Sequence, residues 1–448
     1  MRDRPSDIDE ALAKLEQDQS ERLWICYSDY NGRTQAKSVE PASFAIALRK
    51  GLNFARANLE FNLLNQMTDG ARFTADTGDF YATPDLSTIC SVPYHPGASR
   101  ATAWMRDESG NDWEGCPRFA LKRQIDALAD AGIELQVAFE PEAFLFRRDG
   151  EGAIVPADRA GMYSLDRLEI HADFFAEVAA SLGQMGIKVE QVGAEYGTGQ
   201  VEINIGHAAP LKAADDLVVF RDVFKAIARK HGLIGSFMPK PFESGAGSGL
   251  HIHLSLWSSD GDDLMADHSA PDGISPTGKS FIAGLLAHAP ALTGLGAPTV
   301  NSYKRLLPGS WAPAHAAWGI GDRGVLIRVP SATKPRIEVR CGDNTAQPYL
   351  FLAGILAAGL DGVTRSLTPI PASTGYIGHF SRDAAIAAGH QFLPRVVHEA
   401  LDAVEQDALM RVALGDVIHG EWLKVKRSEA AAHAIVVTEW ERDLYLEF

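Results

Sequence analysis

Four stretches of the chain carry ionisable side chains at alternating positions, the spacing that puts residues i and i+2 on one face of a β-strand. Phe139-Glu140-Pro141-Glu142 sets two carboxylates side by side, and His251-Ile252-His253-Leu254-Ser255 sets two imidazoles and a hydroxyl together. Arg336-Ile337-Glu338-Val339-Arg340 flanks a carboxylate with two guanidiniums, and Glu195 and Glu202 bracket the turn Tyr196-Gly197-Thr198-Gly199-Gln200. Any one of these pairs is also what a solvated strand face carries, and His253 alone is also what a hydrogen-bonded core histidine looks like. Four pairs with apolar residues on the opposite face point to a polar channel lined by sheet. A buried charge must be paired or hold a metal. Oxygen-rich ligation with at most one imidazole suits Mg²⁺ or Mn²⁺ better than structural zinc. Arginines suit phosphate or carboxylate. Cations and guanidiniums aimed at one cavity predict phosphoryl transfer, with charge neutralised from several sides.

Stepping outward, the elements that must hold these residues are legible from pattern. Ser6, with Asp9 three residues on, predicts a helix start before Ile8, Ala11, Leu12 and Leu15. Leu23 to Tyr27 and Thr34 to Val39 predict two strands joined by an Asn31-Gly32 hairpin turn. This opening reads as a small N-terminal domain over residues 1–110, ending in the polar loop Asp107 to Asp112, with a larger domain over 111–448. Pro117 opens a helix that Gly132 stops. Strands are predicted at Ile133 to Phe139, Ile187 to Val192, Gln200 to Ile205, Leu250 to Leu256, Val325 to Val329 and Arg336 to Arg340. Helices are predicted at Leu168 to Met185, Leu211 to Lys230, Pro348 to Arg365 and from Pro394 onward. The class is α+β. Gly245-Ala246-Gly247-Ser248-Gly249 is not a dinucleotide loop, because a strand follows it; a backbone turn beside a ligand fits better. Asp260 to Asp263 reads as a solvated turn.

Composition narrows the field. The 448 residues carry 42 Lys and Arg against 58 Asp and Glu, a formal charge of −16, and 46% are hydrophobic. That is a globular balance, which excludes disorder as the main state. With a pI near 5.3 there is no basic face for general nucleic-acid binding or for an anionic membrane surface. The longest apolar run, Tyr349 to Leu360, is too short for a membrane span, and the charged start Met1 to Pro5 has no apolar stretch behind it. Cys26, Cys90, Cys116 and Cys341 are too scattered for a zinc knuckle or redox pair, so reduced thiols in a cytoplasmic protein are expected.

Taken in order, these segments resemble the type I glutamine synthetase family, and in particular its γ-glutamyl-amide ligase branch. The resemblance runs over nearly the whole chain: the Glu140-Pro141-Glu142 strand, Gly199-Gln200-Val201-Glu202-Ile203-Asn204, Phe237-Met238-Pro239-Lys240-Pro241, Gly247 through His253, Asn301-Ser302-Tyr303-Lys304-Arg305-Leu306, and Arg336 through Arg340. It implies a small β-grasp-like N-terminal domain, a large catalytic α+β domain whose antiparallel sheet forms the active-site channel, and a double-ring dodecamer with sites at subunit boundaries. It implies that Glu142, Glu195 and Glu202 hold one metal and that Glu140, His251 and Glu338 hold a second, within a site of two or three ions. Glu190, His253, Ser255, Arg328 and Arg336 match ATP-contacting positions. Arg305 matches the holder of the substrate α-carboxylate, Arg340 that of the γ-carboxyl, Gly247 the backbone contact to the amino acid, and Arg323 the residue facing the transferred phosphate. ATP would phosphorylate glutamate, and an amine would displace the phosphate.

The departures concern the acceptor. After Pro308-Gly309 the family carries a glutamate that closes the site over ammonium; this chain reads Ser310-Trp311-Ala312-Pro313. Ala55 stands where the family has an ammonium-binding aspartate, Ala246 where it usually has asparagine, and Gly193-Ala194 where histidines often precede the metal-binding glutamate. The usual adenylylation loop is missing around Arg365 to Gly378. Ammonium offers only charge and N–H donors, so losing both acids points to a different nucleophile, with Trp311 as an apolar or cation–π wall or simply as loop packing. The expected function is therefore an ATP-dependent glutamate–amine ligase; the alternatives are an ordinary glutamine synthetase and a non-catalytic paralogue. Keeping all six ligand positions disfavours the last, since such a cluster of like charges is costly without use.

Overall fold

The computed structural model describes residues 5–448; the charged opening Met1 to Arg4 and the side chain of Arg382 lie outside the described residues. The first sheet holds β1 (Arg22–Ser28), β2 (Thr34–Val39), β3 (Leu52–Ala55), β4 (Asp79–Pro84), β5 (Cys90–Ser91) and β6 (Ala98–Arg106). Its order is β2-β1-β6-β4-β3, with β5 against β6 and β1 parallel to β6. The Asn31-Gly32 turn joins β1 to β2 as expected: Asp29 N donates to Arg33 O at 3.0 Å, and Gly32 sits at φ 72°, where a side chain would be strained.

The second sheet is built from β7 (Ile133–Arg148), β8 (Ile154–Pro156), β9 (Val189–Ala194), β10 (Gln200–Ile205), β11 (Ile234–Ser236), β12 (Leu250–Ser258), then, beyond a two-residue strand β13 (His315–Ala316), β14 (Trp318–Ile320), β15 (Ile327–Val329) and β16 (Ile337–Val339). Its order is β14-β15-β16-β12-β7-β10-β9. A last short strand, β17 (Gln391–Phe392), pairs with β13. The 16-residue β7 is the spine, pairing with β12 on one edge and β10 on the other. It continues through Pro141, further than the sequence predicts. The Glu142 N–H points to β12, bonding Gly249 O at 3.0 Å, so the N–H that Pro141 lacks falls on the opposite edge, just past the last β7–β10 pair, Glu142↔Glu202.

Helices cover the sheet. Pro348–Thr364 is buried along almost its whole length, so the longest apolar run is a core helix, and no helix among the described residues is long and apolar enough to cross a membrane. Pro276–Ala287 packs on it through glycine: a Cβ on Gly284 would lie 2.0 Å from Ala358 O. Several predicted boundaries shift, and β9 (Val189–Ala194) lies two residues later than predicted. The first helix, Ile8–Gln17, is capped by Asp7, whose carboxylate accepts from Glu10 N, while Ser6 donates to the Glu10 carboxylate. The helix predicted over Leu168 to Met185 is two helices, Leu165–Ile170 and Ala172–Gln184, broken at His171, whose ring is drawn to 3.1 Å from buried Asp158. β15 and β16 are shorter than predicted, although Arg340 N still reaches Leu326 O at 3.0 Å.

His288, between Pro276–Ala287 and Ala289–Gly296, ties them to Asp407 at 2.7 Å and Asp361 at 3.3 Å. Burial opposes protonation there, but the two carboxylates win and raise its pKa above 6.5. A raised imidazole stabilises fully below its unfolded value and loses that stabilisation as pH rises through the folded value. His288→Gln is expected to cost about 1–2 kcal/mol at pH ~5.5 and less at pH ~8.5, read as melting-temperature differences at each pH. A cost independent of pH refutes the charged pairing.

Candidate active site

The pairing of the second sheet fixes the site. His251 lies opposite Glu140, His253 opposite Glu338, Arg328 opposite Glu338, and Glu202 opposite Glu142. Alternation then turns all of these to one face. His251 Nδ1 is 3.1 Å from Glu140 Oε1 and 3.7 Å from Glu338 Oε1, and His253 Nε2 is 3.1 Å from Glu140 Oε2. Arg328 Nη1 donates to Glu338 Oε2 at 2.7 Å, and Arg340 Nη1 donates to its Oε1. Arg336 Nε reaches His253 Nδ1 at 3.2 Å, tying that imidazole on its outer side.

Two ligand-competent groups emerge: Glu140, Glu202 and His251, and Glu140, His253 and Glu338, each with its donor atoms within 4.8 Å of one another. Glu140 is the member common to both. His251 and Glu338 meet it as expected, but His253, assigned by resemblance to nucleotide alone, also sits on Glu140. Glu142 is held from outside the channel, its Oε2 accepting from Gln200 Nε2 at 3.0 Å and Gly249 N at 2.7 Å. Glu195 follows β9 and keeps its carboxylate near those of Glu142 and Glu140.

These acids do not all ionise. Burial first, then the facing Glu140, Glu142 and Glu195, push Glu202 up to about 9. Burial and then Glu142 push Glu195 up to about 7. Burial works the same way on Glu140 but is overcome by its hydrogen bonds to His251 and His253, which hold it well below the carboxylate range. Burial is likewise overcome at Glu338, where Arg340, then His251, His253 and Arg328, hold the carboxyl down to about 2. Glu140 and Glu338 are thus favoured as anions and Glu202 as the protonated acid, a donor set that fits hard divalent metal.

A cavity of about 500 Å³ opens beside the cluster, lined by Glu190, His253, Ser255 and Arg336, four of the five ATP-matched residues, together with Asn204 and His207. Its Ser255 hydroxyl accepts from Trp257 Nε1 at 2.9 Å, and Glu190 pairs with Lys188 at 3.0 Å. Arg328 lies off this cavity, on Glu338. On the other side, Arg305 is 5% exposed, and its Nη1 has no partner. Burial lowers its pKa despite the nearby Glu142 and Asp343 carboxylates. Gly247 backs onto it, since a Cβ there would lie 2.6 Å from Arg305 Cγ. Exposed Arg323 lies close enough to Glu195 to lower its pKa. Trp311 stands at φ 61° with its ring 65% exposed, and its carbonyl accepts from Arg340 Nη2 at 3.3 Å. Ala55 ends β3, in the first sheet rather than the catalytic one.

Sequence reasoning missed four residues. Gln200 orients Glu142 and Gly247, with Nε2 2.9 Å from Gly247 O; its place two residues from Glu202 was the available signal. Asn344 Nδ2 pins Glu142 O at 3.0 Å. Tyr163, at φ 55°, bonds Ala194 O through its N–H at 2.9 Å, and its hydroxyl faces Glu195, which raises its pKa. Tyr376 packs beside Trp311 with ring centroids 6.5 Å apart. Both tyrosines sit in irregular segments that no periodicity marks.

Comparison with known proteins agrees with this geometry. The family described as "Glutamine synthetase, catalytic domain" matches residues 114–445. A glutamine synthetase of Halobacterium salinarum is 35% identical over 433 residues, covering 95% of this chain and 93% of the relative. One from Thermus thermophilus is 36% identical over 395 residues, covering 85% and 88%. Among solved structures, "GmaS/ADP complex-Conformation 1" superposes with a TM-score of 0.88 at 31% identity, covering 99% of this chain and all (100%) of that one. "Crystal structure of novel glutamine synthase homolog" gives 0.83 at 28%, covering 93% and 96%. Fold and site together define a ligase that uses ATP. The chain belongs to the glutamine synthetase family.

The titration has a direct readout. A carboxyl whose folded pKa is raised binds a proton that the unfolded chain has already released, so metal-free stability falls as pH climbs from the unfolded value toward the folded one. The melting temperature in excess chelator is expected to drop from about pH 5 to about pH 9, the window set by Glu195 and Glu202. Glu202→Gln flattens this slope, and added Mg²⁺ restores stability mostly at the alkaline end. A wild-type slope unchanged by Glu202→Gln refutes the shared-proton cluster.

Proposed function

We propose that the enzyme joins the γ-carboxylate of glutamate to an organic amine. A γ-carboxylate oxygen takes the terminal phosphoryl group of ATP, and ADP leaves. The amine nitrogen then attacks the γ-carbonyl carbon, the C–O bond to phosphate breaks, and the nitrogen gives up its proton. Arg305, with an unpartnered buried Nη1, suits the α-carboxylate; Arg340 suits the γ-carboxyl group; Gly247 contacts the amino acid through its backbone; Arg323 faces the phosphoryl group in transfer. Glu190, His253, Ser255 and Arg336 supply the nucleotide side, with Arg328 bracing Glu338. Two or three Mg²⁺ or Mn²⁺ ions would be held by Glu142, Glu195 and Glu202 and by Glu140, His251 and Glu338. Bound there, they supply electrophilic neutralisation of phosphate charge.

The observation that carries the amine reading is Trp311, an exposed indole on the Arg340-linked loop, at the place where the family resemblance implies a carboxylate. A neutral wall does not offset the desolvation of a small cation, whereas an organic amine brings carbon to bury at ~25 cal/mol per Å². The likeness to GmaS, γ-glutamylmethylamide synthetase, supports the same reading. A second reading, an ordinary glutamine synthetase, is favoured by the names of the sequence relatives. Phosphate release measured with ammonia, hydroxylamine and an amine panel separates them. Some amine is expected to exceed ammonia in kcat/KM by at least about tenfold, and Trp311→Glu is expected to move the ratio toward ammonia. Efficient glutamine formation with ammonia as best acceptor establishes the second reading.

We further propose that residues 1–110 form a β-grasp-like domain, supported by the parallel β1–β6 pairing, and that 111–448 form the catalytic domain of a cytoplasmic double-ring dodecamer. Light scattering should find a twelve-chain particle; a fully active monomer excludes it.

A further inference from the structure

The loop that carries Trp311 is sewn to a second loop that carries Tyr376. Gly309 N donates to Gly378 O at 2.7 Å, and β13 pairs with β17 beyond. The Trp311 and Tyr376 rings lie 6.5 Å apart at 49°. His379 closes the other side of Tyr376, with centroids 5.1 Å apart at 75°. Gly324 and Gly378 make the berth: a Cβ on either would come within 2.8 Å or 2.3 Å of the Tyr376 ring. Tyr376 is nevertheless 38% exposed, so a fixed strip of aromatic carbon is left facing out beside Arg340.

We propose that Trp311 and Tyr376 together form the acceptor subsite, and that it selects a monoamine bearing an apolar alkyl or aryl group. This rests on the amine-ligase reading above. The Arg340 guanidinium, itself bound to Glu338, holds the backbone carbonyl of Trp311, and the Trp311 indole and Tyr376 ring are both exposed beyond it. An amine with its nitrogen toward the γ-carboxyl position lays its carbon body along that strip. Among the described residues that act on Tyr376, a second ammonium meets one guanidinium, which repels it, and one carboxylate, which is buried. Asp322, the carboxylate facing Tyr376, already accepts from Gly324 N at 2.7 Å and Ser373 Oγ at 3.0 Å, and Arg340 repels. Diamines are therefore discriminated against relative to monoamines of equal length.

The test is steady-state kinetics of wild type, Tyr376→Ala, Tyr376→Phe and Trp311→Ala with ATP, glutamate and a series of methylamine, ethylamine, propylamine, butylamine, benzylamine, 1,4-diaminobutane and hydroxylamine. In wild type, kcat/KM should rise about fourfold per methylene from methylamine to propylamine, and butylamine should exceed 1,4-diaminobutane. Tyr376→Ala should raise KM for the apolar amines about tenfold relative to hydroxylamine, with KM for glutamate and ATP shifted less than about twofold. Tyr376→Phe, which keeps the ring, should restore the amine preference. Equal losses for every acceptor, unmoved amine KM in Tyr376→Ala, or a preference for the diamine overturns the assignment while leaving an amine ligase standing. Ammonia as the best wild-type acceptor overturns the reading beneath it and the subsite with it.

Discussion

Like charge held at close range is the constraint on which the rest of this structure depends. Five carboxylates converge at one face of one sheet, Glu338 buried and the other four partly so. The fold meets this by treating the acids unequally. Glu338 is clamped between Arg328 and Arg340, and Glu140 between His251 and His253, so these two stay anionic. Glu195 and Glu202 have no cationic side chain of comparable closeness, and burial with the facing carboxylates raises the pKa of both. An incoming divalent cation therefore has protons to displace on one side and preformed charge on the other, which couples its affinity to pH. Such a cluster tolerates little backbone play, and that accounts for the 16-residue spine of β7 and for Gln200, Asn344 and Gly249 all gripping Glu142.

Around the rigid sheet the substrate-facing parts are loops tied back to it one bond at a time. Arg340 is the hinge of this arrangement: one guanidinium nitrogen holds Glu338, and the other holds the Trp311 carbonyl. The acceptor wall is thus referenced to the carboxylate cluster through a single side chain. Arg305 plays the matching part on the amino-acid side, with Nη2 3.3 Å from Arg340 O and Nη1 left for a substrate anion.

How much of this the sequence discloses follows from the physics of each element. Glu140, Glu142, His251, His253 and Glu338 were legible because strand alternation is strict and buried strands make ionisable residues conspicuous. The contact of His253 with Glu140 was not. It depends on which strand lies opposite which, and register placed Glu140 between both imidazoles. Tyr163 and Tyr376 were invisible for a related reason: irregular loops have no period, and only tertiary closure brings them to Glu195 and Trp311. The break at His171 belongs to the same class, since the helical pattern continues through it and the pull comes from distant Asp158.

The separation between sheet and loop also explains how acceptor chemistry can change without disturbing phosphoryl transfer. Every group assigned to metal lies in or directly beside the sheet, where a substitution must satisfy two neighbouring strands at once. Trp311 contributes only its carbonyl to that framework, and any residue has a carbonyl. Its side chain is therefore free of the charge balance that fixes Glu338 through Arg340. The positive φ of 61° is the one backbone demand at position 311, and it falls on an unbranched side chain. On the proposed amine reading, an indole can stand there in place of a carboxylate with Arg340 still anchored, so that the nucleophile would be set on the loop and the electrophile by the sheet.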